Sequence, residues 1–178
     1  MSKKLRILAA ADIHGDIEIA KHLAEKARKG KVDLVVLAGD INGFIEGDGK
    51  ILEPFIKEKL ALKTFAKNIS NYYISYGDVG IIGTDWKADL EYADLQMLKL
   101  NFKKMKPRKK ILVSHWHASG TLAEFSGFKG DKLLRRAVEE LEPDVLISAH
   151  IHEAEGIEDK IGKTRIIQVG RHGTILEI

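Results

Sequence analysis

An apolar run, a helical stripe and a second apolar run open the chain. Residues 5–11 are almost uninterruptedly apolar, the pattern of a strand covered on both faces. Ala20, Leu23, Ala24 and Ala27 then recur at i, i+3, i+4 and i+7, which predicts a helix that Gly30 ends. His22 falls on the polar face of that stripe and reads as a surface residue. Residues 32–38 form the second covered strand. Strand, helix and strand imply a right-handed parallel crossover, which brings both strand exits to one edge.

The pattern changes after residue 43. Gly43, Gly47 and Gly49 mark a loop, Pro54 suits a first helical turn, and Leu62, Phe65, Ala66 and Ile69 have helical spacing. No convincing strand lies in residues 44–71. Residues 72–76 and 79–83 predict a hairpin about Gly77-Asp78, and Asp85-Trp86 follows in a loop. Leu95, Leu98, Phe102 and Met105 define one face of a helix that stops before Pro107. Residues 111–113 are a third buried strand. A loop of some 13 residues follows it, rich in Gly and Ser and carrying Phe125 and Phe128, a length usual for functional lids or disordered segments. Asp131 caps a helix with Leu134, Ala137, Val138 and Leu141 inside, and Pro143 ends it. Residues 145–147 make a fourth buried strand. Residues 166–169 and 174–178, around Gly170-Arg171-His172-Gly173, read as antiparallel strands. With no repeat or linker, residues 1–178 read as one α/β domain.

Composition narrows the classes. The chain is 44% hydrophobic and 31% charged, as in a globular protein able to bury a core. It has no cysteine, which excludes disulfides, thiolate zinc sites and cysteine nucleophiles. The net charge of +3 is mild. Much of it lies in residues 103–110, KKMKPRKK, which reads as a solvated helix end and loop, with an anionic partner as the alternative. No apolar run approaches the ~18 residues of a membrane span and no signal peptide precedes Leu5, so the expected location is cytoplasmic. Few Asn and Gln with abundant Lys and Glu fit a thermophilic source.

Chemistry gathers at the strand ends. Asp12 and His14 stand two apart after the first strand, Asp40 follows the second, His115 and His117 follow the third, and His150 and His152 the fourth. In extended backbone, residues two apart project to one side, and open α/β sheets bind ligands at such exits. Imidazole and carboxylate together suit zinc, manganese, iron, cobalt or nickel better than calcium. The set is too large for one tetrahedral ion. Two ions ~3.5–4 Å apart would use it, with Asp40 the natural bridging carboxylate. Two divalent ions bring four charges and the aspartates return two. That leaves an excess of about two, suited to a phosphate ester. Such a centre can turn water into hydroxide near neutral pH and clamp the attacking and leaving oxygens.

The blocks Asp12-x-His14, Gly39-Asp40, Ser114-His115 and Ala149-His150-Ile151-His152, in that order, resemble those of the calcineurin-like metallophosphoesterases. The resemblance spans residues 5–170 and implies a four-layer α/β/β/α sandwich with a di-metal centre on one edge. It implies that Asp12, His14 and His152 hold one metal, that His115 and His150 hold a second, and that Asp40 bridges. Ala149 replaces the family's glycine. A larger departure concerns the family's strand ending in Gly-Asn-His-Asp or Gly-Asn-His-Glu, which supplies a metal-binding asparagine and a histidine acid. No such block occurs between Asp40 and His115. Asn68 and Asn71 lack the following histidine. Asn42 could stand in as a ligand, and His117 could replace the acid or face solvent.

Two functions therefore stay open. One is a phosphodiesterase or phosphomonoesterase with a di-metal-activated hydroxide. The other is a degenerate relative that binds metal, phosphate or a partner with little turnover. Trp86, Trp116, Phe125 and Phe128 could stack a base, which would favour nucleotides or nucleic-acid ends, and packing explains them equally well. Arg171 and His172 lie in a turn that could reach a phosphate. Metal identity, substrate and oligomeric state are not legible.

Overall fold

Strand β1 (Arg6–Ala10) is buried on both faces, and alternation along it decides which core each residue enters. Ile7, Ala9 and Ala11 enter a central core with Val36, Ala38, Ile81, Ile111, Val113, Ile147 and Ile167. Leu8 and Ala10 point the other way, against Ala20, Leu23, Ala24 and Ala27 of helix α1 (Ile17–Lys29). Double coverage of this kind demands the unbroken apolar run seen in the sequence. This is a computed structural model, and it describes residues 4–41, 52–54, 69–84 and 91–178. The expectations for Asn42, the loop glycines, Leu62, Phe65, Ala66, Asn68, Asp85 and Trp86 lie outside the described residues.

Two sheets face each other across the central core. The first has the order β2-β1-β9, with β2 (Leu34–Leu37) parallel and β9 (Thr174–Glu177) antiparallel to β1. The second has the order β3-β4-β5-β6-β8-β7. Its strands are β3 (Tyr73–Tyr76), β4 (Val79–Gly83), β5 (Lys109–Val113), β6 (Val145–Ser148), β7 (Glu158–Ile161) and β8 (Thr164–Gln168). β4, β5, β6 and β8 run parallel. Its outer face, through Ile82, Leu112, Leu146 and Ile166, packs on helices α2 (Tyr92–Lys104) and α3 (Lys132–Leu141). The architecture is thus the expected α/β/β/α sandwich. Its central core is built by the inward residues of β1, β2, β4, β5, β6 and β8.

Local chemistry explains most element ends. Asp16 caps α1 by accepting hydrogen bonds from the amides of Glu18 (2.9 Å) and Ile19 (3.2 Å). Asp131 caps α3 through the Leu134 amide at 2.8 Å. The hairpin turns at Gly77, whose φ is +57°, with Tyr76 paired to Val79. Gly30 follows α1 as expected, but in right-handed geometry, and the left-handed residue is Lys31 at φ +50°. Space favours glycine at 30. A β-carbon there would stand 2.5 Å from Ile175 Cδ1.

Two expectations are corrected. The tail strands do not pair with each other: β8 joins the second sheet and β9 the first, so the turn at residues 170–173 carries the chain between sheets. The true hairpin partner of β8 is β7, whose sequence Glu-Asp-Lys-Ile has too little alternation to read as a strand. The loop after β5 is neither disordered nor bare. It contains a 3₁₀ turn (Leu122–Ser126), and Glu124 accepts hydrogen bonds from the amides of Gly120 and Gly130, both at 3.0 Å. The basic cluster is partly neutralised, with Arg108 2.8 Å from Asp78 and Lys109 3.1 Å from Asp144. Among the described residues no helix is long and apolar enough to cross a membrane.

Candidate metal centre

Hydrogen bonding between β1 and β2 continues past both strands. The Asp12 amide donates to Gly39 O (3.3 Å), His14 to Asp40 O (2.9 Å) and Gly15 to Ile41 O (3.0 Å). The facing sheet does the same. Ser114 donates to Ile147 O at 2.9 Å and Ala149 to His115 O at 3.0 Å. Two zipped loops, one from each sheet, therefore meet on one edge of the sandwich.

The side chains are aimed by unusual backbone rather than by strand alternation. Asp12 (φ +57°), His14 (+51°), Asp40 (+45°) and His150 (+73°) are all left-handed. Only seven non-glycine described residues have positive φ, and these four are all predicted ligands. Each such conformation costs on the order of 1–3 kcal/mol and persists where surrounding structure enforces it, most often at functional sites. The expectation of extended backbone is corrected accordingly. His150 and His152 turn to different partners, His150 Nδ1 to His115 Nε2 at 3.3 Å and His152 Nε2 to His14 Nε2 at 3.5 Å.

All six predicted residues belong to one connected cluster. Asp12 Oδ1 lies 3.5 Å from His152 Nε2, 3.9 Å from His115 Nε2 and 4.0 Å from His14 Nε2. Asp40 Oδ2 lies 3.2 Å from His115 Nε2. Two groups could each hold a cation, Asp12-His14-His152 and Asp12-Asp40-His115, with ligand atoms within 4.8 Å of one another. Asp12 is the carboxylate common to both. Asp40 belongs to one, and His150 reaches the cluster through His115.

Asp12 is where the electrostatics are least satisfied. Its side chain is 1% exposed, and among the described residues neither carboxylate oxygen has a hydrogen-bond partner. A buried carboxylate without donors is costly, and imidazole nitrogens ring it. The Nδ1–H of His115 donates to the Ala38 carbonyl at 2.9 Å, since a carbonyl only accepts. This leaves Nε2 directed at the carboxylates, the orientation that an outer hydrogen bond imposes on a metal-binding histidine. Divalent cations are the group this donor set fits: they supply the charge that Asp12 lacks and use the free nitrogens. Asp40, His14 and His152 are about half exposed, so the cluster opens to solvent on their side.

Trp116 was not predicted in this role, yet its indole stacks on the His150 ring, with centroids 4.0 Å apart and planes 25° apart. Burial, then His115, pushes the His150 pKa below its ordinary value and favours the neutral imidazole. His117 does not face solvent. It is fully buried, its Nε2–H donates to Phe128 O at 3.3 Å, and burial pushes its pKa down. Its Nδ1 has no partner among the described residues. Ala123 of the 3₁₀ turn packs against Ile151 and Ala154, beneath the His150–His152 turn, and leaves Phe125 and Phe128 exposed. Arg171 donates to the Asp12 carbonyl at 3.4 Å, whereas His172 turns away to Glu155 at 2.7 Å.

The sequence matches the family model of the calcineurin-like phosphoesterase superfamily domain over residues 5–176. No curated protein matches the chain closely enough to count as a relative. Among solved structures, the chain is similar to the TT1561 protein of Thermus thermophilus, with TM-score 0.73 and 12% identity over 98% of this chain and 95% of that one. It is also similar to a dimetal phosphatase from Danio rerio, with TM-score 0.60 and 13% identity over 96% and 88% of the two chains. An anchor in the inner membrane complex of Plasmodium matches with TM-score 0.55 and 14% identity over 95% and 72%. At such identities the likeness concerns the fold, which serves a phosphatase and an anchor alike.

Proposed function

The chain belongs to the calcineurin-like phosphoesterase superfamily, and from that premise we propose that it hydrolyses phosphate esters with two divalent ions held by Asp12, His14, Asp40, His115, His150 and His152. Asp12 carries this reading: a buried carboxylate with both oxygens lacking hydrogen bonds, ringed by the Nε2 atoms of His14, His115 and His152. Its place in both candidate groups favours Asp12 as a shared ligand beside Asp40.

When bound, such ions lower the pKa of a water and stabilise charge on the phosphoryl oxygens. The chain's own residues do the rest. Asp12 and Asp40 offset part of the cation charge and leave the site attractive to an anion. His115, oriented through Ala38, and His150, held beneath Trp116, present ring nitrogens to the site. The exposed side of His14, His152 and Asp40 admits the ester. The sequence has no Gly-Asn-His block to supply the family's asparagine ligand and histidine acid. His117, with its Nε2–H given to Phe128 O, is poorly placed to serve as that acid. Substrates with good leaving groups suit a site of this kind.

The test is hydrolysis of p-nitrophenyl phosphate and bis-p-nitrophenyl phosphate with added manganese, nickel, cobalt, zinc or iron. Metal-dependent turnover that Asp12→Asn and His115→Ala abolish supports the proposal. No turnover with any metal would leave the binding-module alternative.

A further inference from the structure

We propose that Arg171 grips the substrate's phosphate and that the preferred substrate is a phosphomonoester dianion; this deepens the phosphoesterase reading and rests on it. The protein has seven arginines. Six lie within 4.0 Å of a carboxylate: Arg6 by Glu177, Arg28 by Glu25, Arg108 by Asp78, Arg135 by Glu139, Arg136 by Glu140 and Arg165 by Glu158. Arg171 has no carboxylate partner among the described residues. It is exposed, and its one hydrogen bond among the described residues runs from Nη2 to the main-chain oxygen of Asp12 at 3.4 Å. The guanidinium therefore stands at the lip of the candidate metal centre with most of its donors unused.

The turn that carries Arg171 is pinned on every side. The Ala11 amide donates to Gly170 O at 3.0 Å, and Gly173 closes the turn onto the same oxygen at 3.3 Å. Glu155 accepts the amides of His172 (2.9 Å) and Gly173 (3.1 Å) and the His172 ring nitrogen (2.7 Å). From α1, Lys26 Nζ donates to the carbonyls of His172 (2.9 Å) and Gly173 (2.7 Å). A β-carbon at Gly170 would stand 2.7 Å from Glu155 Oε2, so Glu155 sits flush against the turn. The backbone is held rigid and the guanidinium rests on the Asp12 carbonyl with other donors to spare, which lowers the ordering cost of recognition.

A guanidinium beside a site for cations is repulsive until an anion lies between them. Its planar fork matches two non-bridging phosphate oxygens. Two divalent ions less two aspartates leave an excess of about two charges, and Arg171 adds a third. A monoester dianion gains more from that field than a diester monoanion. Glu155 acts through Arg171 as a positioning residue.

Calorimetric titration of inorganic phosphate into the full chain, with manganese and after chelator dialysis, tests this for wild type, Arg171→Gln, Arg171→Lys, Glu155→Gln and the Glu155→Gln/Arg171→Gln double variant. Arg171→Gln should weaken phosphate binding about ten- to hundredfold with unchanged metal content, and Arg171→Lys should recover only part. KM for p-nitrophenyl phosphate should rise more than KM for the bis-ester. Glu155→Gln should weaken binding less, and add nothing on the Arg171→Gln background. Wild-type phosphate affinity in Arg171→Gln, loss of metal along with phosphate, or no phosphate binding by wild type would overturn the inference. A wild type that holds no ion and turns over nothing, yet binds phosphate through Arg171, would sink the phosphoesterase reading and the monoester preference with it, and keep only the grip of Arg171 on phosphate.

Discussion

Gly39 lies flat against the imidazole of His115: a β-carbon at 39 would stand 2.7 Å from His115 Nδ1, the atom hydrogen-bonded to the Ala38 carbonyl. Gly39 also has φ +99°, a conformation other residues rarely adopt. Gly39→Ala should therefore displace His115 and strain the backbone together. The expected cost is about 1–3 kcal/mol in the urea unfolding free energy, with loss of metal from the protein as isolated. Unchanged metal content with an unchanged unfolding midpoint would show that the contact is slack.

Asp12 should trade stability for binding. Its carboxylate is buried without donors, so Asp12→Asn removes a charge that the metal-free fold pays to hold. The metal-free variant should melt at or above the wild-type temperature. Added manganese at about 100 times its Kd should raise wild-type stability by about 2.7 kcal/mol and leave the variant unmoved. Differential scanning calorimetry with and without manganese reads both effects.

Burial holds the pKa values of His117 and His150 below the ordinary value of 6.5. As pH falls through 6.5 the unfolded chain takes up protons at these positions before the folded chain does, which favours unfolding. Stability of the metal-free protein should be flat above about pH 7 and fall from 6.5 downward, and replacing His117 with Gln should flatten that fall. Urea midpoints between pH 5.5 and 8 check this. A midpoint that rises as the solution is acidified would contradict it.

Trp116 reports on the site because its ring stacks on His150 at 4.0 Å. Nickel, cobalt or manganese bound beside His150 should quench its fluorescence, with recovery on chelation. Trp116→Leu should lose most of that signal and weaken metal binding by the ~0.5–1.5 kcal/mol of an aromatic contact. Equal quenching in Trp116→Leu would place the reporting indole elsewhere.

Much of this architecture is written in short-range pattern. The unbroken run at residues 5–11 and the stripe Ala20-Leu23-Ala24-Ala27 follow from double coverage and from a single buried helix face, and both are found as read. β7 escaped because an edge strand with one buried residue carries no alternation. The partner of β9 escaped because a switch between sheets is a long-range choice that strand composition does not encode. At the site, acidic and imidazole residues past four strands were legible as types in an order. The left-handed backbone that aims Asp12, His14, Asp40 and His150 was not, since aspartate and histidine tolerate that conformation without requiring it. Nor was the Trp116 stack or the Glu155 clamp on the Arg171 turn, which join residues distant in sequence or hidden among ordinary polar ones.

The phosphoesterase reading requires that Asp12 and its ring of imidazoles hold cations. Elemental analysis of the protein, loaded with manganese and then freed of excess by gel filtration, measures this directly. Close to two ions per chain in wild type and none retained in Asp12→Asn is the predicted result. A wild type that emerges without metal, or an Asp12→Asn protein that retains as much as wild type, would contradict it.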